Sequence, residues 1–243
     1  MKKNLAYFLS SIFYLFYLSL LLVFHALQWL GYNLGKYRGH KIAVDIMNGT
    51  FTYLLYILGT RIKFISKYPI PKNAPLIIVS NHQNMNDISP ISWFMRKYHP
   101  KFVSKLELGK GIPSVSYNLT HGGSVLIDRK DSRQALAALK EFGQYIEKNN
   151  YSAVIFPEGT RSRDGVPKRF SENGLKILTK FAPSAYVIPM TINNCWKLNR
   201  YGKFPLEVGV KITFELHEPI KADSLEFVKL FEKVENTIKN AVI

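Results

Sequence analysis

Residues 4–35 contain no Asp, Glu, Lys or Arg, and the stretch reads "LAYFLSSIFYLFYLSLLLVFHALQWLGY" over most of its length. A soluble domain rarely opens this way, because so continuous an apolar surface has to be covered by something. A membrane crossing needs about 20 apolar residues, so one crossing fits easily and two full crossings do not. A secretory signal has a shorter apolar core and a small-x-small cleavage site; no such site precedes a polar stretch here. Tyr7, Tyr14, Tyr17, Trp29 and Tyr32 add the aromatic content typical of membrane interfaces. Both flanks are basic, Lys2 and Lys3 before the run and Lys36, Arg38 and Lys41 after it. A single crossing would place one basic flank on the wrong side. The expectation is therefore an anchor that dips into the cytoplasmic leaflet and returns. A second apolar stretch, residues 42–59, holds Asp45 as its one charged residue. It reads equally well as a membrane-lying helix or an ordinary core helix.

Over the whole 243 residues, 33 Lys and Arg face 17 Asp and Glu, a formal charge of +16. Such a surface seeks polyanions: nucleic acid, an acidic carrier protein or anionic lipid headgroups. A nucleic-acid binder would interleave exposed aromatics with its basic residues in one stripe. Here the cations are scattered and the aromatics concentrate in the apolar run, so nucleic acid is not expected as a partner. Cys195, the single cysteine, precludes an internal disulfide and reads as a small buried residue with no base beside it.

Beyond Thr60 the pattern alternates. Short β-rich runs ("RIKFISKY", "PLIIVSN", "KFVSK", "GGSVLIDR", "SAVIFPEG", "AYVIPMTI", "GVKITFEL") are separated by stretches of helical periodicity. Pro90 sits in the first turn of one helix, where its missing N–H costs nothing. Asp131 or Ser132 is placed to cap another. A last helix is expected from Ser224 onward. This alternation predicts an α/β domain with a mostly parallel sheet flanked by helices, giving a helical hydrophobic membrane anchor over residues 1–60 and the α/β domain over 61–243.

Three segments fall at the carboxyl ends of strands, where open α/β sheets gather ligands. "NHQNMND" follows the buried run "PLIIVS". A five-residue gap does not align two side chains on a straight helix, but a strand–turn–helix corner can return Asp87 to the imidazole of His82. His82 would then serve as general base towards a hydroxyl, with Asp87 orienting it; the plainer alternative makes His82 a turn residue and Asp87 a helix cap. "VIFPEGTRSRDG" places Arg161 directly after a strand, suited to a phosphate. Thr160 accompanies it, and Glu158 is placed to hold loop amides or a nearby Arg. Lys105 and Arg129 follow what read as neighbouring parallel strands and would converge on one anion. The remaining histidines lack metal-ligand spacing, so no metal is expected. No G-x-S-x-G elbow is present, which argues against a serine hydrolase.

These segments resemble the blocks of the glycerolipid acyltransferase family. "NHQNMND" is similar to its NH-x4-D motif, "GGSVLIDR" to its second block, "FPEGTRSRDG" to its third, and "VIPMTI" (residues 187–192) to its fourth, in the family's order and over residues 75–192. The basic, hydrophobic N-terminus and the length resemble the bacterial 1-acylglycerol-3-phosphate acyltransferases. The chain departs from the pattern at Asn86, where a bulky residue is usual, and at Val125 and Leu126, where Phe is frequent. The resemblance implies that His82 deprotonates the free glycerol hydroxyl of lysophosphatidic acid, which attacks the thioester of an acyl-CoA or acyl carrier protein (acyl-ACP). It implies that Asp87 orients His82, that Lys105, Arg129 and Arg161 bind the acceptor's phosphate, and that Glu158 and Gly159 shape the loop. It implies no cofactor beyond that thioester co-substrate, phosphatidic acid for phospholipid biosynthesis as product, and a place on the cell inner (cytoplasmic) membrane facing the cytoplasm. Another lysolipid acceptor is the alternative. Reporter fusions at the N-terminus and after Lys41 are expected on the same side of the membrane; opposite sides would overturn the hairpin.

Overall fold

The structure, a computed structural model, describes residues 2–243. Helix α1 (Lys2–Leu54) is broken at Lys36, whose φ of 48° and ψ of −136° are not helical. The break reverses the chain, so the two arms, 2–35 and 37–54, lie against each other. Glycines permit this: a Cβ on Gly31 would stand 2.6 Å from the carbonyl oxygen of Gly39. Further from the turn, Phe51 of the second arm packs on Tyr17 and Phe24 of the first, with ring centroids 4.9 and 6.2 Å apart. At the far end Phe13 is buried in the main core, and Ser10 Oγ accepts from the Leu206 amide at 2.9 Å. Much of the first arm's outer surface stays exposed and apolar, including Phe8, Leu15, Phe16, Leu22 and Trp29. A patch of that kind marks a surface that meets lipid or another apolar partner, and α1 is long and apolar enough to cross a membrane.

The α/β part follows as β1 (Arg61–Ser66), β2 (Leu76–Ser80), α2 (Ile88–Phe94), β3 (Pro100–Lys105), α3 (Val115–His121), β4 (Val125–Ile127), α4 (Ser132–Asn149), β5 (Ser152–Ile155), α5 (Asn173–Phe181), β6 (Tyr186–Asn193), β7 (Lys211–Leu216), β8 (Ile220–Lys221) and α6 (Phe227–Asn240). The strands form one sheet in the order β1-β7-β6-β2-β5-β3-β4, with β8 pairing β6. The pairs from β6 through β2, β5 and β3 to β4 are parallel, as is β1 with β7. β6 is antiparallel to β7 and β8, so the sheet is mixed and mostly parallel. β2 is buried along its whole length, which is why it reads as an unbroken apolar run. Its alternate side chains serve opposite layers. Leu76 and Ile78 join Phe13, Leu55, Ile91 and Met95 beneath α1 and α2. Ile77 and Val79 join residues of α4, α5 and α6 on the other face.

Local chemistry sets the helix ends. Asp131, not Ser132, caps α4, accepting from the amides of Arg133 and Gln134 at 3.0 Å each. The last helix starts at Phe227, later than the expected Ser224, because residues 222–225 form a turn after β8. α3 falls in a stretch with no clear helical pattern. The second arm of α1 packs one face inward, with Met47, Phe51 and Thr52 buried, while Ile42, Ile46 and Tyr53 face outward. Gly31→Leu should force the arms apart and cost about 1–3 kcal/mol, lowering the thermal midpoint of the full chain in detergent. Gly35→Ala, with open space around its added Cβ, should leave the midpoint unchanged or slightly raised; equal midpoints for the two variants would contradict the glycine crossing.

Candidate active site

Because β2, β5, β3 and β4 are adjacent and parallel, their carboxyl ends share one edge of the sheet. His82 leaves β2 there. The following turn folds back through a short 3-10 segment, Met85–Asp87, closed by a capping box in which Asn84 and Asp87 satisfy each other's amides. Asp87 is both cap and ring partner. Its Oδ2 accepts from the amides of Gln83 (2.7 Å) and Asn84 (2.8 Å) and lies 2.8 Å from His82 Nδ1. An ionised carboxylate accepts only, so Nδ1 carries the ring proton and Nε2 is left as the free base. Asp87 is fully buried, whereas the His82 side chain keeps 17% of its surface open. The imidazole lies flat on Phe156, with centroids 4.1 Å apart and planes 19° from parallel, which limits its rotation.

The loop after β5 closes over this turn. Glu158 joins the two segments: Oε1 accepts from the His82 amide at 2.7 Å and Oε2 from the Lys168 amide at 2.8 Å. Burial raises the Glu158 pKa, and the two amides oppose that shift. The Ser162 amide returns to the His82 carbonyl at 2.8 Å. Gly159, at φ 69°, makes the turn, and its carbonyl accepts from Arg129 Nη1. Arg129 is thus brought from the end of β4 onto the loop that carries Thr160 and Arg161. Lys168 Nζ donates to Thr160 Oγ1 (2.8 Å) and to the Arg161 carbonyl (3.0 Å). Arg161 and Lys105 are exposed, and Lys105 ends β3 opposite Ile127 on the same edge.

Several supporting residues have no obvious signature in the sequence. Asn81 makes two hydrogen bonds to the backbone of Ile192 in β6, at 2.7 and 2.9 Å, docking the fourth block on the first. Gln83 Oε1 accepts from the Cys195 amide at 2.9 Å, and Asn84 Nδ2 donates to the Cys195 carbonyl at 3.1 Å. Polar residues inside a buried turn are the signal that they have distant partners. Cys195 is fully buried as read, but it has a carboxylate beside it. Burial first, then Asp87, push its thiol pKa well above the ordinary value, so the thiol stays neutral. Among the described residues no group of three or more His, Cys, Asp or Glu is placed to hold a metal ion.

Asp87→Ala would strand two buried amides and the ring N–H. At about 1–3 kcal/mol for an unsatisfied buried group, denaturant unfolding should show a loss of roughly 2–5 kcal/mol. Asp87→Asn keeps an acceptor at the Oδ2 position and should lose clearly less; equal losses would mean that these hydrogen bonds do not hold the turn.

The family model described as Acyltransferase matches residues 61–193. The chain is 36% identical over 135 residues to a 1-acyl-sn-glycerol-3-phosphate acyltransferase of Helicobacter pylori, covering 54% of this chain and 53% of that protein. It is 31% identical over 156 residues to the chloroplastic 1-acyl-sn-glycerol-3-phosphate acyltransferase BAT2 of Brassica napus, covering 63% and 44%. The chain thus spans about half the length of these curated relatives. The crystal structure of the 1-acyl-sn-glycerophosphate acyltransferase PlsC from Thermotoga maritima superposes with a TM-score of 0.81 at 25% identity, over 99% of this chain and 95% of that one. A family match over more than half of the chain, on a fold shared along nearly all of it, makes this protein a member of the Acyltransferase family.

Proposed function

We propose that this protein transfers a fatty acyl group from an acyl-CoA or acyl-ACP thioester to the sn-2 hydroxyl of 1-acylglycerol-3-phosphate, forming phosphatidic acid. The observation that carries this reading is a His–Asp pair set beside a loop held by Arg129. His82 Nε2 takes the hydroxyl proton as the oxygen attacks the thioester carbonyl. The new C–O bond forms, the C–S bond breaks, and the imidazolium returns the proton to the departing thiolate. Asp87 stabilises the imidazolium while it lasts. The step as written draws on His82, Asp87, the acceptor hydroxyl and the thioester.

The acceptor carries a phosphate monoester, and Arg129, Arg161 and Lys105 supply cations at the same edge of the sheet. Bidentate guanidinium contacts suit such a group. An acceptor lacking the monoester, such as lysophosphatidylcholine, would need fewer of them. The acceptor's acyl chain stays in the bilayer, so the site works at a membrane surface. The helical hairpin with its exposed apolar face provides the attachment, lying in the cytoplasmic leaflet of the inner membrane with the site towards the cytoplasm. The net charge of +16 favours both an anionic leaflet, at about 1 kcal/mol per nearby cation, and an acidic carrier.

Membranes containing the wild-type chain should acylate lysophosphatidic acid in preference to lysophosphatidylcholine. His82→Ala should reduce the rate about 10²–10⁴-fold with little change in thermal midpoint. Equal use of both acceptors would overturn the phosphate assignment, and undiminished activity in His82→Ala would overturn the base.

A further inference from the structure

At the opposite end of the sheet from His82, the hairpin covers a second group of ionisable side chains. Lys101 in β3 is only 6% exposed. Among the described residues its ammonium meets no carboxylate; it lies over the rings of Tyr37 and Tyr151, 4.8 and 5.5 Å from their centroids. Lys101 borders a cavity of about 30 Å³ closed by the second arm of α1, together with Lys41, Asp45, His40, His99 and Ser124. Asp45 is the one carboxylate on the wall, and Lys41 already pairs with it. His99 Nδ1 is taken by the Tyr37 hydroxyl at 2.7 Å, and His40 Nε2 by Gln28 at 3.2 Å. Burial first, then neighbouring cations, lower the pKa of both histidines to about 4, so they stay neutral and the wall carries one uncompensated positive charge. A buried ammonium without an anion is costly. Burial, then the charge of Lys41, accordingly bring the Lys101 pKa down to about 8 against the opposing pull of Asp45.

This cavity is separate from the catalytic edge. Strand register places Lys101 beside Ala153, and Ala153 beside Ile77. His82 lies five residues further along, roughly 17 Å at about 3.3 Å per residue. The space admits about two water-sized groups, enough for two oxygens of a tetrahedral anion whose remainder stands in the mouth.

We propose that the Lys101 cavity is a second anion site, which takes the terminal oxygens of a phosphate monoester under the hairpin. The outer face of the same arm carries the exposed apolar residues Ile42 and Ile46. A lipid headgroup and free phosphate are the two sources of that phosphate group to be distinguished.

Isothermal titration of inorganic phosphate into the full chain in detergent, with Arg161→Ala as background to weaken the other cation cluster, reads the site. Binding should persist in Arg161→Ala and weaken about tenfold or more when Lys101→Met is added, as expected for loss of a charge-assisted contact. Equal binding with and without Lys101→Met would overturn the proposal, as would chloride at matched ionic strength reproducing the phosphate response. Phosphatidylcholine vesicles with and without phosphatidate separate the sources. A Lys101-dependent preference for phosphatidate assigns the headgroup; Lys101-dependent binding of inorganic phosphate without that preference assigns the free ion. The wild-type chain supplies a readout independent of the variant's folding: phosphate should slow amine acetylation of Lys101, mapped by mass spectrometry, several-fold relative to exposed Lys148. Unchanged relative labelling would overturn the site.

Discussion

A carboxylate sealed from water must find donors, and Asp87 finds three through one oxygen: the ring N–H of His82 and the amides of Gln83 and Asn84. That requirement shapes the turn. The chain has to leave β2, bend within five residues and bring its own backbone around the acid. The tautomer of His82, with Nδ1 engaged and Nε2 left free, follows. Removing the carboxylate would therefore disturb geometry and charge together. The proposed base and the local fold of this corner share one cause.

The rest of the architecture supports that corner from two directions. Within the sheet, Asn81 fastens the start of the turn to Ile192 of β6, and Gln83 and Asn84 fasten its middle to the backbone of Cys195. From the edge, Glu158 bridges the His82 and Lys168 amides, and Arg129 reaches the Gly159 carbonyl. The loop that carries Arg161 is thereby held against the histidine. Four sequence blocks separated by tens of residues become neighbours because adjacent parallel strands end on one edge.

The helical hairpin is not a separate appendage. Its first arm enters the main core at Phe13, its second contributes Phe51 and packs on α2, and the 3-10 turn that follows buries Leu55 and Leu58. The apolar outer face and the α/β core are thus joined by continuous packing, which positions the sheet edge carrying His82 relative to whatever surface the hairpin meets. The same packing covers most of Lys101 and leaves it on the wall of a small cavity.

The charge-free run and the strand–helix alternation were legible in the sequence because each depends on local spacing: composition over a span or period along an element. The spacing of His82 and Asp87 left both a ring pair and a plain helix cap open, and the resemblance to an NH-x4-D motif favoured the pair. A cap at Asp131 or Ser132, between which the structure chose Asp131, was legible from local spacing. The break at Lys36 was not, since it depends on how closely Gly31 and Gly39 approach across the turn. The partners of Gln83 lie 112 positions away at Cys195. Lys101 read as one more strand residue, and only docking of α1 buries it beside Lys41. The sequence alone thus determined which elements form and which side chains are candidates for the chemistry, because propensity, periodicity and short turns act within a few residues. Tertiary structure alone decided which amides, loops and cations surround those side chains, because burial and long-range hydrogen bonding exist only once the layers have closed.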